Sequence, residues 1–163
     1  MAALPLPLQN QKCNDNCQLS DGGVAIIRTF EGYSPFVYKD SAGLDTIGYG
    51  HLITKNSPKF NIPLLPREAD ALLRKDTKIA VNAVNKAVTV PIKQHQADPL
   101  ISFTFNVGGG AFAKSTLVKK INYNLHMETE KEFLRWNKAG GKPVTGLSNR
   151  RAAEAEIYNK KGK

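Results

Sequence analysis

Glu31, Asp40 and Thr46, spaced E-x8-D-x5-T, could act together to break a bond, although a Glu at a helix end and an Asp in a turn are also common as structural residues. Glu31 follows Ile27 by four residues and Val24 by seven, so on a helix its carboxyl shares a stripe with those apolar side chains and is partly shielded from water. Asp40 opens the stretch Asp40-Ser-Ala-Gly-Leu-Asp45, whose composition suits a polar turn. One shielded carboxyl and one solvated carboxyl can divide the work of acid and base. The first protonates a leaving oxygen and the second draws a proton from water, which is the pair that glycoside hydrolysis requires.

The elements that must hold these groups are legible around them. Ser20 or Asp21 can cap a helix running to Glu31. Phe36-Val-Tyr38 and Thr46-Ile-Gly-Tyr49 read as short strands joined by the Asp40–Asp45 turn, so a small antiparallel sheet is expected. Pro63 and Pro66 mark a loop, and a single helix is expected over residues 67–87. Its inner face reads Ala69, Leu72, Leu73, Asp76, Ile79, Ala80, Ala83 and Ala87. Asp76 is an acid on an apolar stripe and needs a partner. His51, just past the hairpin, is the expected one, in a structural ion pair.

Pro91 and Pro99 bracket the next break, with Pro99 read as a first-turn residue after Asp98. Leu100–Val107 is too apolar for a surface helix and reads as a buried one ending at Gly108-Gly-Gly110. Helices over about 115–124, 128–137 and 148–160 complete the chain, with Gly140-Gly141 turning between the last two. His95 and His126 are expected at the surface and Trp136 in the core. The sum is an α+β fold.

Composition narrows the class. With 163 residues, 41% hydrophobic and 23% charged, the chain can bury a core, and no apolar run approaches a membrane span. The formal net charge is +9, and residues 114–163 hold 12 basic against 5 acidic groups, Lys160, Lys161 and Lys163 among them. That field favours a polyanionic partner, such as nucleic acid, lipopolysaccharide or a cell-wall polymer, and supplies steering more than specificity. Cys13 and Cys17 could bind metal or close a small ring, but no C-x2-C or His pair completes a zinc set, so no metal is assigned. The Gly108-Gly-Gly110 run lacks the Lys-Ser/Thr of a phosphate loop.

A family resemblance rests on Thr29-Phe-Glu-Gly-Tyr-Ser-Pro-Phe-Val-Tyr-Lys-Asp40 followed by Thr46-Ile-Gly-Tyr-Gly-His51. It continues through Phe105-Asn-Val-Gly-Gly-Gly-Ala-Phe112, Ser115-Thr-Leu117, Glu132-Phe-Leu-Arg-Trp136 and Leu147-Ser-Asn-Arg-Arg-Ala152. Together these segments resemble the phage-type lysozymes, the endolysins of glycoside hydrolase family 24, over residues 20–160. The resemblance implies a lysozyme-like α+β fold. A small N-terminal lobe (about 20–66) carries the sheet, a linking helix (about 67–87) follows, and a larger helical C-terminal lobe (about 88–163) lies across an active cleft. Residues 1–19 form a loosely ordered leader, polar where some members carry a hydrophobic membrane-arrest segment.

The implied activity is muramidase: hydrolysis of the β-1,4 bond between N-acetylmuramic acid and N-acetylglucosamine in bacterial peptidoglycan, with no cofactor. Glu31 would be the general acid, Asp40 the carboxylate that orients or activates water, and Thr46 a holder of that water. Arg150 would form an ion pair with the catalytic glutamate, and the His51–Asp76 pair agrees with the family pattern. Leu52, Phe105, Asn106, Ser115 and Thr116 would line the glycan groove. The expected partner is peptidoglycan, with anionic envelope polymers beside it, no nucleic acid, and a monomeric enzyme. A phage-encoded member would sit in the host cytoplasm until released to the periplasm or wall. Lytic transglycosylation needs only the acid, so Asp40 and Thr46 argue against it, and a non-catalytic glycan-binding domain would not need the intact triad.

Overall fold

A computed structural model describes Cys13 and residues 16–160. Residues 1–12, 14–15 and 161–163 lie outside the described residues, and with them most of the expected leader, Lys161 and Lys163. The chain divides into two compact units. One is Val24–Lys78, and the other combines Met1–Gly23 with Ile79–Lys163.

Helix α1 (Asp21–Glu31) has residues 21–23 in the second unit and the rest in the first, where it leads into strands β1 (Ser34–Lys39), β2 (Asp45–Gly48) and β3 (His51–Leu52), ordered β1-β2-β3 and antiparallel throughout. Tyr38 pairs with Thr46, Lys39 with Asp45, Thr46 with Leu52 and Ile47 with His51. β1 is largely exposed, with Phe36, Val37 and Tyr38 open to solvent, whereas Thr46 and Ile47 of β2 are buried. The core under the sheet is small: Ile47, Leu64 and Ala69, with Tyr49, Ile53, Phe60 and Leu72 packed against it.

Helix α2 (Pro66–Asp76) supplies the other face of that core. Pro66 suits the first turn because its missing N–H would have no partner there. Glu68 Oε1 accepts from Leu65 N at 3.0 Å, supplying one half of a capping box. Arg28 of α1 reaches both Asp70 oxygens through Nη1, at 3.1 and 2.9 Å.

The single helix expected over 67–87 is two. α2 stops at Asp76, and α3 (Lys78–Ala87) starts one residue later. Thr77 between them is buried, and its hydroxyl donates to Arg74 O at 2.9 Å. A side chain that feeds its own helix's last carbonyls competes with continuation. The apolar stripe runs through the break, so periodicity alone joins the two pieces.

The second unit is helical, with α4 (Gln94–Val107), α5 (Gly109–Lys114), α6 (Thr116–Asn122), a 3₁₀ turn (His126–Glu128), α7 (Thr129–Leu134) and α8 (Thr145–Tyr158). A two-stranded hairpin, β4 (Lys138–Ala139) and β5 (Lys142–Pro143), turns at Gly140-Gly141; periodicity did not reveal these strands. α4 packs chiefly on α8. Phe103 lies edge-on to Phe112, Phe133 and Trp136, with ring centres 6.1, 5.6 and 5.4 Å away.

α4 begins before Pro99 rather than with it. Pro99 is the sixth residue of the helix and buried. So early a position costs one intrahelical bond, and the long apolar run that follows offsets it. His95, expected at the surface, is buried on this helix with Nδ1 donating to Ile157 O at 3.2 Å. His126 is half-buried against the Tyr158 hydroxyl at 2.7 Å.

The two cysteines close a ring: Cys13 and Cys17 form a disulfide. Both cysteines are tied to the helical unit by backbone bonds. Cys13 N donates to Ile92 O at 2.9 Å, Asn85 Oδ1 accepts from Cys17 N at 2.7 Å, and Asn85 Nδ2 donates to Cys17 O at 2.9 Å.

Candidate active site

The three chemical candidates and Leu52 all fall in the first unit. Glu31 is the last residue of α1 and half-buried. The β2–β3 turn passes beneath it. A Cβ built on Gly50 would stand 3.3 Å from Glu31 Oε2, and Gly50 has φ +78°. A side chain there would be strained and would press on the carboxyl. Gly50 is a site residue that the functional reading of the sequence overlooked; its signal is the Gly-Tyr-Gly run between two strands.

Asp40 sits at the mouth of the β1–β2 turn, which the chain closes on it. Its Oδ1 accepts from Ala42 N at 2.9 Å and Leu44 N at 2.8 Å, and its backbone N–H donates to Leu44 O at 2.9 Å. This Asx-type turn fixes the carboxyl and spends those bonds on Oδ1, so Oδ2 is the oxygen placed to meet a ligand. Thr46 is buried on β2, and its hydroxyl donates to Leu44 O at 3.0 Å. With its proton committed, the oxygen can still accept. Leu52 stands opposite Thr46 across the β2–β3 ladder and is 45% exposed, so the pair shares one face.

His51 and Asp76 are brought together, Nδ1 to Oδ2 at 2.8 Å, with Phe60 edge-on to the imidazole at 5.6 Å. Both side chains retain partial exposure, 17% and 27%. The contact ties β3 to the end of α2.

Phe105, Asn106, Ser115, Thr116 and Arg150 belong to the second unit. Phe105 is partly buried against the core, and Asn106 is exposed. Ser115 is committed to structure: its hydroxyl donates to Phe112 O at 2.6 Å and accepts from Val118 N at 3.1 Å, capping α6. Thr116 beside it is exposed.

Arg150 lies in a buried charge cluster between α4 and α8. Its Nε is 3.4 Å from Glu154 Oε2, and its Nη2 donates to Ser102 O at 3.1 Å. Ser102 Oγ donates to Glu154 Oε2 at 2.6 Å, and Arg151 Nε is 2.9 Å from Glu154 Oε1. Burial pushes the Glu154 carboxyl up against the pull of Arg151, Ser102 and Arg150. Burial also brings the Arg151 guanidinium down to about 10, with Glu154 opposing and Arg150 adding to the fall.

Arg151 carries a role that the sequence did not suggest. Its guanidinium lies 4.8 Å above the Phe103 ring, and its Nη2 donates to Asn106 Oδ1 at 2.7 Å. That bond fixes the Asn106 amide so that its nitrogen is the end left to donate outward. Asn106 lines a cavity of about 350 Å³ with Val107, Arg135, Trp136, Lys138 and Leu147. Trp136 therefore serves both core and cavity.

The Phage lysozyme family model matches residues 28–154, which hold Glu31, Asp40, Thr46 and Arg150. The endolysin of Bacillus phage PZA is 42% identical over 144 residues, 87% of this chain and 55% of that protein. The chain thus spans about half the length of that relative. The endolysin from Escherichia coli O157:H7 phage FAHEc1 superimposes with a TM-score of 0.79 at 39% identity, covering 87% of this chain and 93% of that one. The muramidase domain of SpmX from Asticaccaulis excentricus gives 0.79 at 32% identity, covering 89% and 99%. A family match over residues 28–154, on a fold shared over most of the chain with these structures, places the chain in the phage lysozyme family.

Proposed function

We propose that this chain is a muramidase that hydrolyses the β-1,4 bond between N-acetylmuramic acid and N-acetylglucosamine in peptidoglycan. The observation that carries the reading is the arrangement within one unit: an acid at the end of α1 above Gly50, a carboxylate clamped by its turn through Oδ1 alone, and a buried threonine on the intervening strand.

Glu31 donates its proton to the glycosidic oxygen as the bond to C1 of the muramic acid residue breaks. Asp40 Oδ2 accepts a proton from the attacking water, whose oxygen becomes bonded to C1. Thr46 accepts a hydrogen bond from that water. The products are a chain ending in a reducing N-acetylmuramic acid and one with a free 4-hydroxyl on N-acetylglucosamine. Water attacking directly from the opposite face inverts the anomeric centre.

Phe105, Asn106, Thr116 and Leu52 are assigned to glycan binding; the Arg151-fixed amide of Asn106 supports a donor role toward acetamido or carboxylate oxygens. The basic C-terminal third would speed encounter with an anionic wall. The Cys13–Cys17 disulfide suits work on the oxidising side of the membrane, after release from the host cytoplasm.

Digestion of purified walls followed by mass spectrometry of the fragments tests the reading. Reducing-end muramic acid is expected, and loss of the general acid in Glu31→Gln is expected to lower the rate by at least ~10²-fold. Fragments ending in 1,6-anhydromuramic acid would establish lytic transglycosylation instead. Absence of wall cleavage by the wild type would leave a glycan-binding domain.

A further inference from the structure

Helix α1 is held at its start by a group that the proposed chemistry does not use. Ser20 is its N-cap, with Oγ accepting from Gly23 N at 3.2 Å. Ser20 is in turn gripped by Asp98 of α4: Oδ1 accepts from Ser20 N at 3.0 Å, and Oδ2 accepts from the Ser20 hydroxyl. Gln94, one turn earlier on α4, donates through Nε2 to Asp98 Oδ1 at 2.8 Å and to Gln18 O at 2.7 Å. Asp98 is buried, so removing it from water is costly unless such bonds return the loss.

The first turn of α1 rests directly on this carboxyl. A Cβ on Gly23 would fall 2.7 Å from Asp98 Oδ1 and 2.5 Å from Leu19 Cδ1. Only a residue without one lets the helix backbone come so close.

We propose that Asp98 is a positioning residue for the hydrolysis, acting through Ser20 to fix the register and rotation of the helix that ends in Glu31. α1 is a continuous rod of 11 residues, about 16 Å long at 1.5 Å per residue. A slip or roll at Ser20 is therefore carried to the carboxyl at the other end, where a displacement of about 1 Å can cost on the order of 10²-fold in rate. The inference rests on the reading of Glu31 as general acid.

The test compares kcat and KM on a soluble glycan-strand fragment, well below the melting range, for wild type, Glu31→Gln, Asp98→Ala, Asp98→Asn, Ser20→Ala and the Ser20→Ala/Asp98→Ala double variant. Asp98→Ala and Ser20→Ala are each expected to lower kcat by roughly tenfold or more with KM within about twofold. The double variant should fall no further than Asp98→Ala, because the two act as one unit. Asp98→Asn should recover most of kcat, since its amide can accept from Ser20 N and donate to Ser20 Oγ. If Asp98→Ala does not fold, Ser20→Ala and Asp98→Asn carry the test. A folded Asp98→Ala or Ser20→Ala with kcat within twofold of wild type overturns the proposal, as does a loss confined to KM. Glu31→Gln at full activity would instead remove the general-acid reading, whatever Asp98 does.

Discussion

The two units hold their charges in opposite ways. In Val24–Lys78 the His51–Asp76 contact and the Arg28–Asp70 ion pair are partly exposed over a core of a few side chains, and the outer strand faces solvent. In the helical unit Arg150, Arg151 and Glu154 are buried together beside an aromatic cluster around Phe103. The candidate acid, base and threonine belong to the thinly packed unit, where single turns and hydrogen bonds set their positions. The cavity with its fixed Asn106 amide belongs to the densely packed one. Precision in the first depends on local bonds, and in the second on a charge cluster that cannot lose a member cheaply.

The sharpest break of this contrast is Glu154→Gln. It removes the anion that both Arg150 and Arg151 contact in the interior, and a loss of about 3–5 kcal/mol is expected from urea unfolding. The matching change in the other unit, His51→Asn, removes a charge-assisted bond that still sees water, and about 1.5–3 kcal/mol is expected from the same assay. An order reversed between the two variants would show that burial is not what separates the units.

A smaller effect sharpens the picture within the helical unit. Desolvation holds the His126 imidazole below its usual value. The unfolded chain therefore takes up a proton first as pH falls through about 6.5, and stability declines from there toward the lowered folded value. Thermal melts between pH 5 and 8 should show a shallower acid-side slope for His126→Gln. An identical slope would mean that another group supplies the dependence.

How far the sequence could be read follows from the same division. The helix start at Ser20 or Asp21, the hairpin and the His51–Asp76 contact are short-range or pattern-driven and legible from spacing, and the structure selects Ser20 as the cap. The break at Thr77 was invisible because the apolar stripe continues across it. The true start of α4 was hidden by Pro99, whose cost is offset by long-range burial. His95 looks like a surface residue until α4 and α8 pack, and the capping of α6 by the Ser115 hydroxyl depends on where that helix starts, which spacing does not give. Gly50 is significant through its left-handed backbone and the closeness of Glu31, and Gly23 through the Leu19 and Asp98 atoms that a Cβ would strike.

The division of labour between Glu31 and Asp40 is tested most directly by the anomeric configuration of the first product. Proton NMR of a soluble peptidoglycan fragment, recorded before mutarotation, should show the new reducing end as the α-anomer, because a water molecule activated by Asp40 attacks C1 from the face opposite the departing oxygen. An initial β-anomer would mean that a nucleophile other than water, a carboxylate or the sugar's own acetamido oxygen, had bonded to C1 first, and the roles assigned to Asp40 and Thr46 would be wrong.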